Sequence, residues 1–148
     1  MKIIEYQDKY KSDLIFMVLE AKNALGRIPG LNEDLLNIES NYIDKGDMFW
    51  LAIDENDRVV GSCGFSSIEK TSEIWLHRLF VKYNLKRQGI GTMLIETAEK
   101  HAKNIGKTAI RVHLGDKKDF FEAYSFYPKH GYIEYAPGYM IKYISKSE

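Results

Sequence analysis

Cysteine is scarce in this chain. Cys63 is the only one among 148 residues, which excludes an intramolecular disulfide. Because disulfide-free chains are typical of reducing compartments, we expect a cytoplasmic protein. No apolar run approaches the roughly 20 residues that a membrane-spanning helix needs. The first eleven residues carry five charges and no apolar core of signal-peptide length. No membrane association is therefore expected.

An excess of charge is also absent. Lys plus Arg and Asp plus Glu each number 21, which gives a formal net charge of zero. No nucleic-acid partner is expected, because phosphate binding depends on a surplus of Lys and Arg. The hydrophobic fraction of 45% and charged fraction of 28% are typical of a globular protein. The length suits a single domain over residues 1–148, and no repeat or linker divides it.

Hydrophobic periodicity predicts the element order β-αα-βββ-α-β-α-ββ, a mixed α/β sheet with helices on both faces. The apolar run 74–81 predicts a central strand that is buried on both faces. Asn32 is the predicted cap of a second helix. The strand–helix–strand run that follows predicts a parallel crossover unit. Strands are predicted at 2–6, 48–53, 59–65, 74–81, 108–114, 132–135 and 140–144, and the other helices at 10–24, 89–104 and 120–130. The buried side of helix 89–104 is predicted to carry Ile90, Met93, Leu94, Thr97, Ala98 and Ala102.

The most informative motif lies where a predicted strand ends and a helix begins. It reads Lys86-Arg87-Gln88-Gly89-Ile90-Gly91-Thr92. The first N–H groups of a helix lack partners within it, and glycine lets a phosphate approach them closely. The motif lacks the Gly-Lys-Ser/Thr run of a P-loop and the third glycine of a dinucleotide site. By itself it fits either an anion site or a plain tight turn.

A second motif follows at the end of the chain. It reads Ala123-Tyr124-Ser125-Phe126-Tyr127-Pro128-Lys129-His130-Gly131-Tyr132. Together with Leu79-Phe80-Val81 before the glycine turn, the two motifs resemble those of the GNAT acetyltransferase superfamily. That family carries Arg/Gln-x-x-Gly-x-Gly/Ala after a strand, and later Ala-x-x-Leu/Phe-Tyr-x-x-x-Gly-Phe/Tyr. Lys86 stands where the family favours Arg or Gln.

The resemblance implies a GNAT-like sheet that splays between its fourth and fifth strands, with a bulge in the fourth. It implies acetyl-CoA as cosubstrate, bound by the turn and the adjoining strand end. It also implies that Tyr127 lies near the coenzyme A sulfur as general acid. The residues expected to contact coenzyme A are Leu79, Phe80, Val81, Lys86, Arg87, Gln88, Gly89, Ile90, Gly91, Thr92 and Tyr127.

Two residues depart from the family pattern. Phe120 stands where the family often has an Asn that contacts the pantetheine arm. Pro128 lies inside the predicted helix, where it removes a backbone donor and crowds the preceding turn. We therefore expect the helix to kink or end at Pro128, which would alter the placement of the Tyr127 hydroxyl.

A base is expected for the amine acceptor, because amines are protonated near pH 7. The predicted central strand offers His77 and Glu73. A histidine at the matching place in serotonin N-acetyltransferase, a GNAT member, is linked to proton removal. The alternative is a core histidine bonded to the backbone. No metal is expected, because His113, Asp116 and Asp119 match no common spacing.

The sequence thus predicts an N-acetyltransferase that moves an acetyl group from acetyl-CoA to a primary amine by direct transfer in a ternary complex. The acceptor is expected to be a small molecule, and a homodimer is compatible with the family. In this fold acceptor choice depends on segments 25–31 and 136–140. Trp50, Trp75 and Tyr139 either line that pocket or fill the core, with the core favoured for the tryptophans. The alternatives are a non-catalytic acyl-CoA sensor module and a protein lysine or N-terminal acetyltransferase.

Overall fold

The computed structural model describes residues 1–24, 26, 32–85, 88–118 and 120–144. The strands are β1 (Lys2–Glu5), β2 (Met48–Ile53), β3 (Val59–Ser67), β4 (Glu73–Val81), β5 (Ala109–His113), β6 (Ile133–Ala136) and β7 (Tyr139–Tyr143). The α-helices are α1 (Lys11–Ala24), α2 (Ile38–Asn41), α3 (Ile90–Asn104) and α4 (Phe121–Lys129). No helix in these ranges is long and apolar enough to cross a bilayer.

The strands form one sheet in the order β1-β2-β3-β4-β5-β7-β6. Only β4 and β5 pair in parallel, and α3 makes the crossover between them. The other neighbouring strands are antiparallel. The predicted mixed α/β fold, including its parallel crossover unit, is confirmed.

Alternation along the strands divides the core into two layers. In β2, Phe49 and Leu51 pack with α1 and α2 on one face of the sheet. Trp50 and Ala52 point to the opposite face and join the core beneath α3 and α4. This period of two is the one that a pleated strand imposes. The first helices and the later helices therefore cover different faces.

The sequence predicted one continuous second helix, and this prediction is wrong. The segment forms a 3-10 turn at Glu33–Leu36, the single turn of α2, and another 3-10 turn at Ile43–Lys45. Asn37 interrupts it with φ −148° and caps α2 by accepting from the N–H of Ser40. Asn32 makes no such cap, because its side-chain oxygen accepts from the Lys22 ammonium instead.

The prediction that β4 is buried on both faces is also wrong. Ile74 and Leu76 are buried beneath α3. The alternating residues Glu73, Trp75 and His77 are only half-buried. Their face is covered by α1 and α2 over β2 and β3, but this cover ends near β4. One face of β4 therefore packs in the core, and the other face is partly open to solvent.

The core-facing stripe of α3 differs from the prediction at its edges. Met93 was expected to be buried but is 37% exposed, whereas Ile95 is fully buried. The stripe also includes Glu99, which is 9% exposed. Its carboxylate accepts from the Tyr132 hydroxyl at 2.9 Å and from the Lys142 ammonium at 3.0 Å. A buried carboxylate is tolerated there because it is paired and hydrogen-bonded.

Pro128 ends α4, as the sequence predicted. The helix stops at Lys129, one residue after the proline. The His130 N–H donates to the Tyr127 carbonyl at 2.9 Å, and the Gly131 N–H donates to the Pro128 carbonyl at 3.1 Å. Tyr127 thus lies in the last turn of α4, and Gly131 follows with φ +88°. The bonds from Gly131 and Tyr132 to the carbonyls of Pro128 and Tyr127 close the helix end, and Tyr127 remains within α4.

Candidate functional site

A gap opens where β4 and β5 diverge. Their parallel pairing runs from Glu73↔Ala109 to Leu76↔Val112 and then stops. β4 continues for five more residues to Val81 without a β5 partner. The edge of an unpaired strand presents N–H and C=O groups that another extended chain can pair with. The predicted splay of the sheet is therefore present.

A β-bulge lies in β4 at the mouth of this gap. Arg78 and Leu79 together oppose Cys63, because Ser62 pairs with Phe80 and Gly64 pairs with His77. Arg78 adopts φ +53°, which is rare for a residue with a side chain. The bulge implied by the family resemblance is confirmed. Bulges of this kind re-aim side chains next to functional sites.

Two contacts hold the bulge in place. The Arg78 carbonyl accepts from the hydroxyl of the fully buried Ser62 at 2.8 Å. The Arg78 guanidinium pairs with Asp34 at 3.0 Å, and it holds the pKa of that carboxyl below its usual range against the opposing effect of burial. The strained residue is thus fixed from both its backbone and its side chain.

Because the bulge adds one residue to β4, the side chains after it point to the opposite face of the sheet from the one that regular alternation would give. Leu79 and Val81 pack on the core beneath α3 and α4. Phe80 turns to the opposite face, where the Lys22 ammonium lies 5.8 Å from its ring centroid. Among the predicted cofactor contacts, Leu79 and Val81 therefore share one face and Phe80 does not.

The N-terminus of α3 is open. Gly89 precedes the helix in the left-handed region at φ +83°, and a Cβ built on it would meet no atom of the described residues within 4 Å. Gly91 packs on α4 instead, with the Phe126 ring 3.2 Å from such a Cβ. The N-terminus of this 15-residue helix carries partial positive charge and free N–H groups. It has the room and polarity that a phosphate requires.

The remaining residues of the turn have different surroundings. The Ile90 side chain is buried against Gly61, so it anchors the helix. Gln88 is exposed. The Thr92 hydroxyl lies 3.3 Å from Nε2 of His130. Lys86 and Arg87 lie outside the described residues, and their predicted role stays a prediction.

Tyr127 lies deep beside the gap and is 7% exposed. Phe126 and Tyr132 meet its ring edge to face at 5.3 and 5.4 Å. No described residue forms a hydrogen bond with the Tyr127 hydroxyl. Every fully buried side-chain oxygen of the described residues has a hydrogen-bond partner, so the Tyr127 hydroxyl is not fully buried and reaches solvent. Burial, with a smaller effect from the nearby Cys63 thiol, raises the pKa of Tyr127. The phenol is therefore protonated at neutral pH.

His77 lies on the other side of β4, one residue before the bulge. Its Nε2 is 2.8 Å from the Ser66 hydroxyl, and the Tyr42 ring is 6.5 Å away. Burial and the Arg78 guanidinium lower the pKa of His77 below 6.5, against weaker opposing effects of Asp34 and Asp47. The imidazole is therefore neutral at pH 7 and able to accept a proton.

Glu73 lies at the opposite end of β4 from the bulge. Its carboxylate pairs with the Arg111 guanidinium on β5 at 2.6 Å. Four residues of strand separate it from His77, a distance of about 13 Å. The structure thus does not bring the two predicted bases together, and Glu73 ties β4 to β5 below the gap.

The loop after β5 contributes residues that the motifs did not indicate. The Phe120 ring covers Gly115, where a Cβ would approach it to 2.2 Å. The Tyr124 hydroxyl donates to the Gly115 carbonyl at 2.8 Å. No sequence signal predicted this packing, because it depends on where α4 docks. These residues form the β5 side of the gap.

The described ranges contain no group of three or more His, Cys, Asp or Glu residues placed to hold a metal ion. His113 stacks on Tyr139 with ring centroids 4.3 Å apart. Asp119 lies outside the described ranges. The lone Cys63 is buried, and burial raises the pKa of its thiol.

Solved structures resemble this fold over nearly its whole length. A GNAT-family acetyltransferase from Staphylococcus aureus Mu50 is 27% identical with a TM-score of 0.87, over 96% of this chain and 98% of that one. An aminoglycoside 6'-N-acetyltransferase complexed with coenzyme A is 18% identical with a TM-score of 0.74, over 100% of both chains. The ribosomal-protein-S18-alanine N-acetyltransferase from Escherichia coli is 16% identical with a TM-score of 0.77, over 99% and 96%. The last two show the fold alone.

No curated protein sequence matches the chain significantly. The model of the acetyltransferase (GNAT) family, however, matches residues 16–132, which is well over half of the chain. The match includes β4 with its bulge, the glycine turn and α4. The chain belongs to the acetyltransferase (GNAT) family.

Proposed function

We propose that this protein transfers an acetyl group from acetyl-CoA to a primary amine on a small molecule, by direct transfer. The observation that carries the proposal is the gap beyond Leu76 and Val112. The open N-terminus of α3 lies at one side of this gap. Tyr127 and His77 lie on opposite faces of β4. An anion site, a strand edge, an acid and a base thus adjoin one opening.

The residues fit acetyl-CoA in two respects. The free space at Gly89 lets phosphate oxygens approach the first N–H groups of α3. The unpaired edge of β4 beyond His77 offers backbone groups to an extended, amide-containing pantetheine arm. When bound, acetyl-CoA supplies the acetyl group as a thioester with a thiol leaving group.

The two titrating side chains are suited to opposite tasks. His77 has a lowered pKa, so its neutral imidazole accepts the proton of the incoming amine. The Tyr127 phenol is protonated at neutral pH and so can donate a hydrogen bond toward the sulfur, while burial raises its pKa and makes it a weaker acid than a free phenol. Environments that push two pKa values apart are the usual basis of acid and base assignment. Glu73, paired with Arg111, has no part in this proposal.

The amine acceptors of the relatives differ in size. One relative is named for an aminoglycoside and another for the alanine of a ribosomal protein. One observation favours the non-catalytic sensor instead: the Phe120 ring over Gly115 fills part of the β5 side of the gap. Acceptor-dependent release of thiol separates a transferase from a sensor.

The test is calorimetric titration with acetyl-CoA, coenzyme A and ATP, followed by a thiol-release assay with a panel of amines. We expect micromolar binding of both coenzyme A species and weaker binding of ATP. We also expect thiol release that depends on the amine. Binding without release from any amine would support the sensor, and no binding of acetyl-CoA would exclude the proposed function.

Removal of the Tyr127 hydroxyl is expected to slow the reaction without abolishing it. For Tyr127→Phe we expect kcat to fall about 10- to 100-fold, at the lower end for an acid catalyst because a thiolate already leaves readily. The Kd for acetyl-CoA should stay within twofold, because the hydroxyl bonds to no described residue. Single-turnover kinetics and calorimetry measure the two quantities.

The matched control is Tyr143→Phe, which removes a hydroxyl from a residue that is 75% exposed. It should leave kcat unchanged. An unaltered kcat in Tyr127→Phe would remove this residue from the mechanism, and a large loss of acetyl-CoA binding would show a packing role instead.

A further inference from the structure

Four aromatic side chains lie together on the half-open face of the sheet, and we call them the aromatic platform: Trp75, His113, Tyr135 and Tyr139. Tyr139 is at their centre. The His113 ring stacks on it nearly parallel, at 8° and 4.3 Å. Trp75 and Tyr135 are tilted against it at 6.3 and 6.1 Å.

The platform adjoins the proposed base. Trp75 and His77 are two residues apart on β4 and so point to the same face, about 7 Å from each other. The register pairs His113 with Tyr139 at the end of β5 where the gap begins. His113 is exposed and Tyr135 is 47% exposed, so the platform is open to solvent. A molecule resting on it has access to His77.

The strongest charges on this face neutralise one another. Arg111 pairs with Glu73 at 2.6 Å and lies over the Tyr135 ring at 4.9 Å. Arg78 pairs with Asp34 at 3.0 Å. Both carboxylates are therefore already occupied by a guanidinium. A polycation would have to compete with these arginines for its counter-charge.

Two further carboxylates lie near the platform. Asp47 accepts from the backbone N–H of Ser67 at 2.9 Å. Glu134 accepts from the backbone N–H of Gly138 at 3.1 Å. Glu134 stabilises the turn between β6 and β7, and Asp47 ties the start of β2 to the end of β3. What the face offers a ligand is therefore ring surface more than charge.

We propose that the aromatic platform is the acceptor subsite and that it takes a primary amine carried on a flat, uncharged aromatic or heteroaromatic ring. The inference rests on the proposed function and adds the substrate class to it. Contacts between aromatic rings stabilise a complex beyond what the buried area alone contributes. The spacing of Trp75 and His77 suits an amine two or three atoms from the ring, which would bring its nitrogen to the imidazole.

The test compares three acceptors in the thiol-release assay. They are 2-phenylethylamine, the saturated 2-cyclohexylethylamine of nearly equal size and basicity, and the polycation spermidine. We expect kcat/KM for the phenyl compound to exceed that of each of the others about 10-fold, which corresponds to one or two ring contacts. Comparison with the cyclohexyl compound separates the effect of a flat aromatic ring from the effect of an apolar group of similar size.

Variants then locate the effect. Tyr139→Leu should raise KM for 2-phenylethylamine about 10-fold while kcat and the Kd for acetyl-CoA stay within twofold. Tyr135→Leu, at a position that is 47% exposed, should act in the same direction. The matched control is Tyr143→Leu, on the same strand and face but opposite Ala109 at its far end. It should change nothing.

The possible failures are distinguishable. Absence of acetyl-CoA binding would overturn the proposed function itself. Normal acetyl-CoA binding with equal or faster turnover of spermidine or the cyclohexyl amine would overturn only the aromatic acceptor. The same holds if Tyr139→Leu and Tyr135→Leu leave KM for the phenyl compound unchanged.

Discussion

Gly89→Glu is expected to weaken the binding of acetyl-CoA and coenzyme A about 100-fold. Gly89 lies before α3 with open space around it, so the new carboxylate would stand where the structure leaves room for phosphate. Two like charges a few ångströms apart near a protein surface repel by about 3 kcal/mol, which corresponds to roughly 100-fold in Kd. Calorimetric titration of the variant measures the loss, which should shrink at high salt.

The chain offers a closely matched control at the other end of the same helix. Gly106 has φ +81°, against +83° for Gly89, and a Cβ on either would meet nothing within 4 Å in the part of the chain that the structure describes. Gly106→Glu therefore imposes the same left-handed strain and the same charge, but away from the gap. It should bind acetyl-CoA normally. Equal affinities in the two variants would mean that the N-terminus of α3 does not bind phosphate.

His77→Gln is expected to lower kcat/KM about 100-fold at pH 7, the usual contribution of a general base. The amide can keep the hydrogen bond to Ser66 but cannot take a proton. Because the pKa of His77 lies below 6.5, wild-type activity should be flat above that pH and fall as the pH drops through it. In the variant, kcat/KM should rise about tenfold per pH unit toward the pKa of the amine, near ~10.

The comparison that isolates this role is His101→Gln. Burial also lowers the pKa of His101. His101 lies on α3, however, and its ring packs against Trp50 and Phe65 on the opposite face of the sheet from His77. That variant should keep the wild-type pH profile. If His77→Gln also keeps it, His77 is not the base, and its bond to Ser66 is structural.

The site was only partly predictable. The glycine turn is a local signal, because a strand end and a helix start lie within ten residues of each other, and the structure has both as predicted. The partners of His77 and Arg78 are not local. Ser66 and Ser62 are on β3, and Asp34 is more than forty residues away in sequence. No pattern in the sequence indicated them.

Several errors share one physical cause. Met93 was expected in the core, yet it is 37% exposed. Periodicity tells which residues share a face, but it does not tell which faces another element covers. The apolar run of β4 was misinterpreted for the same reason. Its second face carries the aromatic platform instead of a second core layer.

The sequence by itself determined the element order, the mixed sheet, the helix stop at Pro128 and the glycine turn at Gly89, because each depends on neighbouring residues and their backbone preferences. Only the tertiary structure decided the rest. It set where β4 leaves β5, placed Tyr127 and His77 on either side of that strand, and lowered one pKa while raising the other. Burial and pairing arise from contacts between distant segments, and those exist only once the sheet has formed.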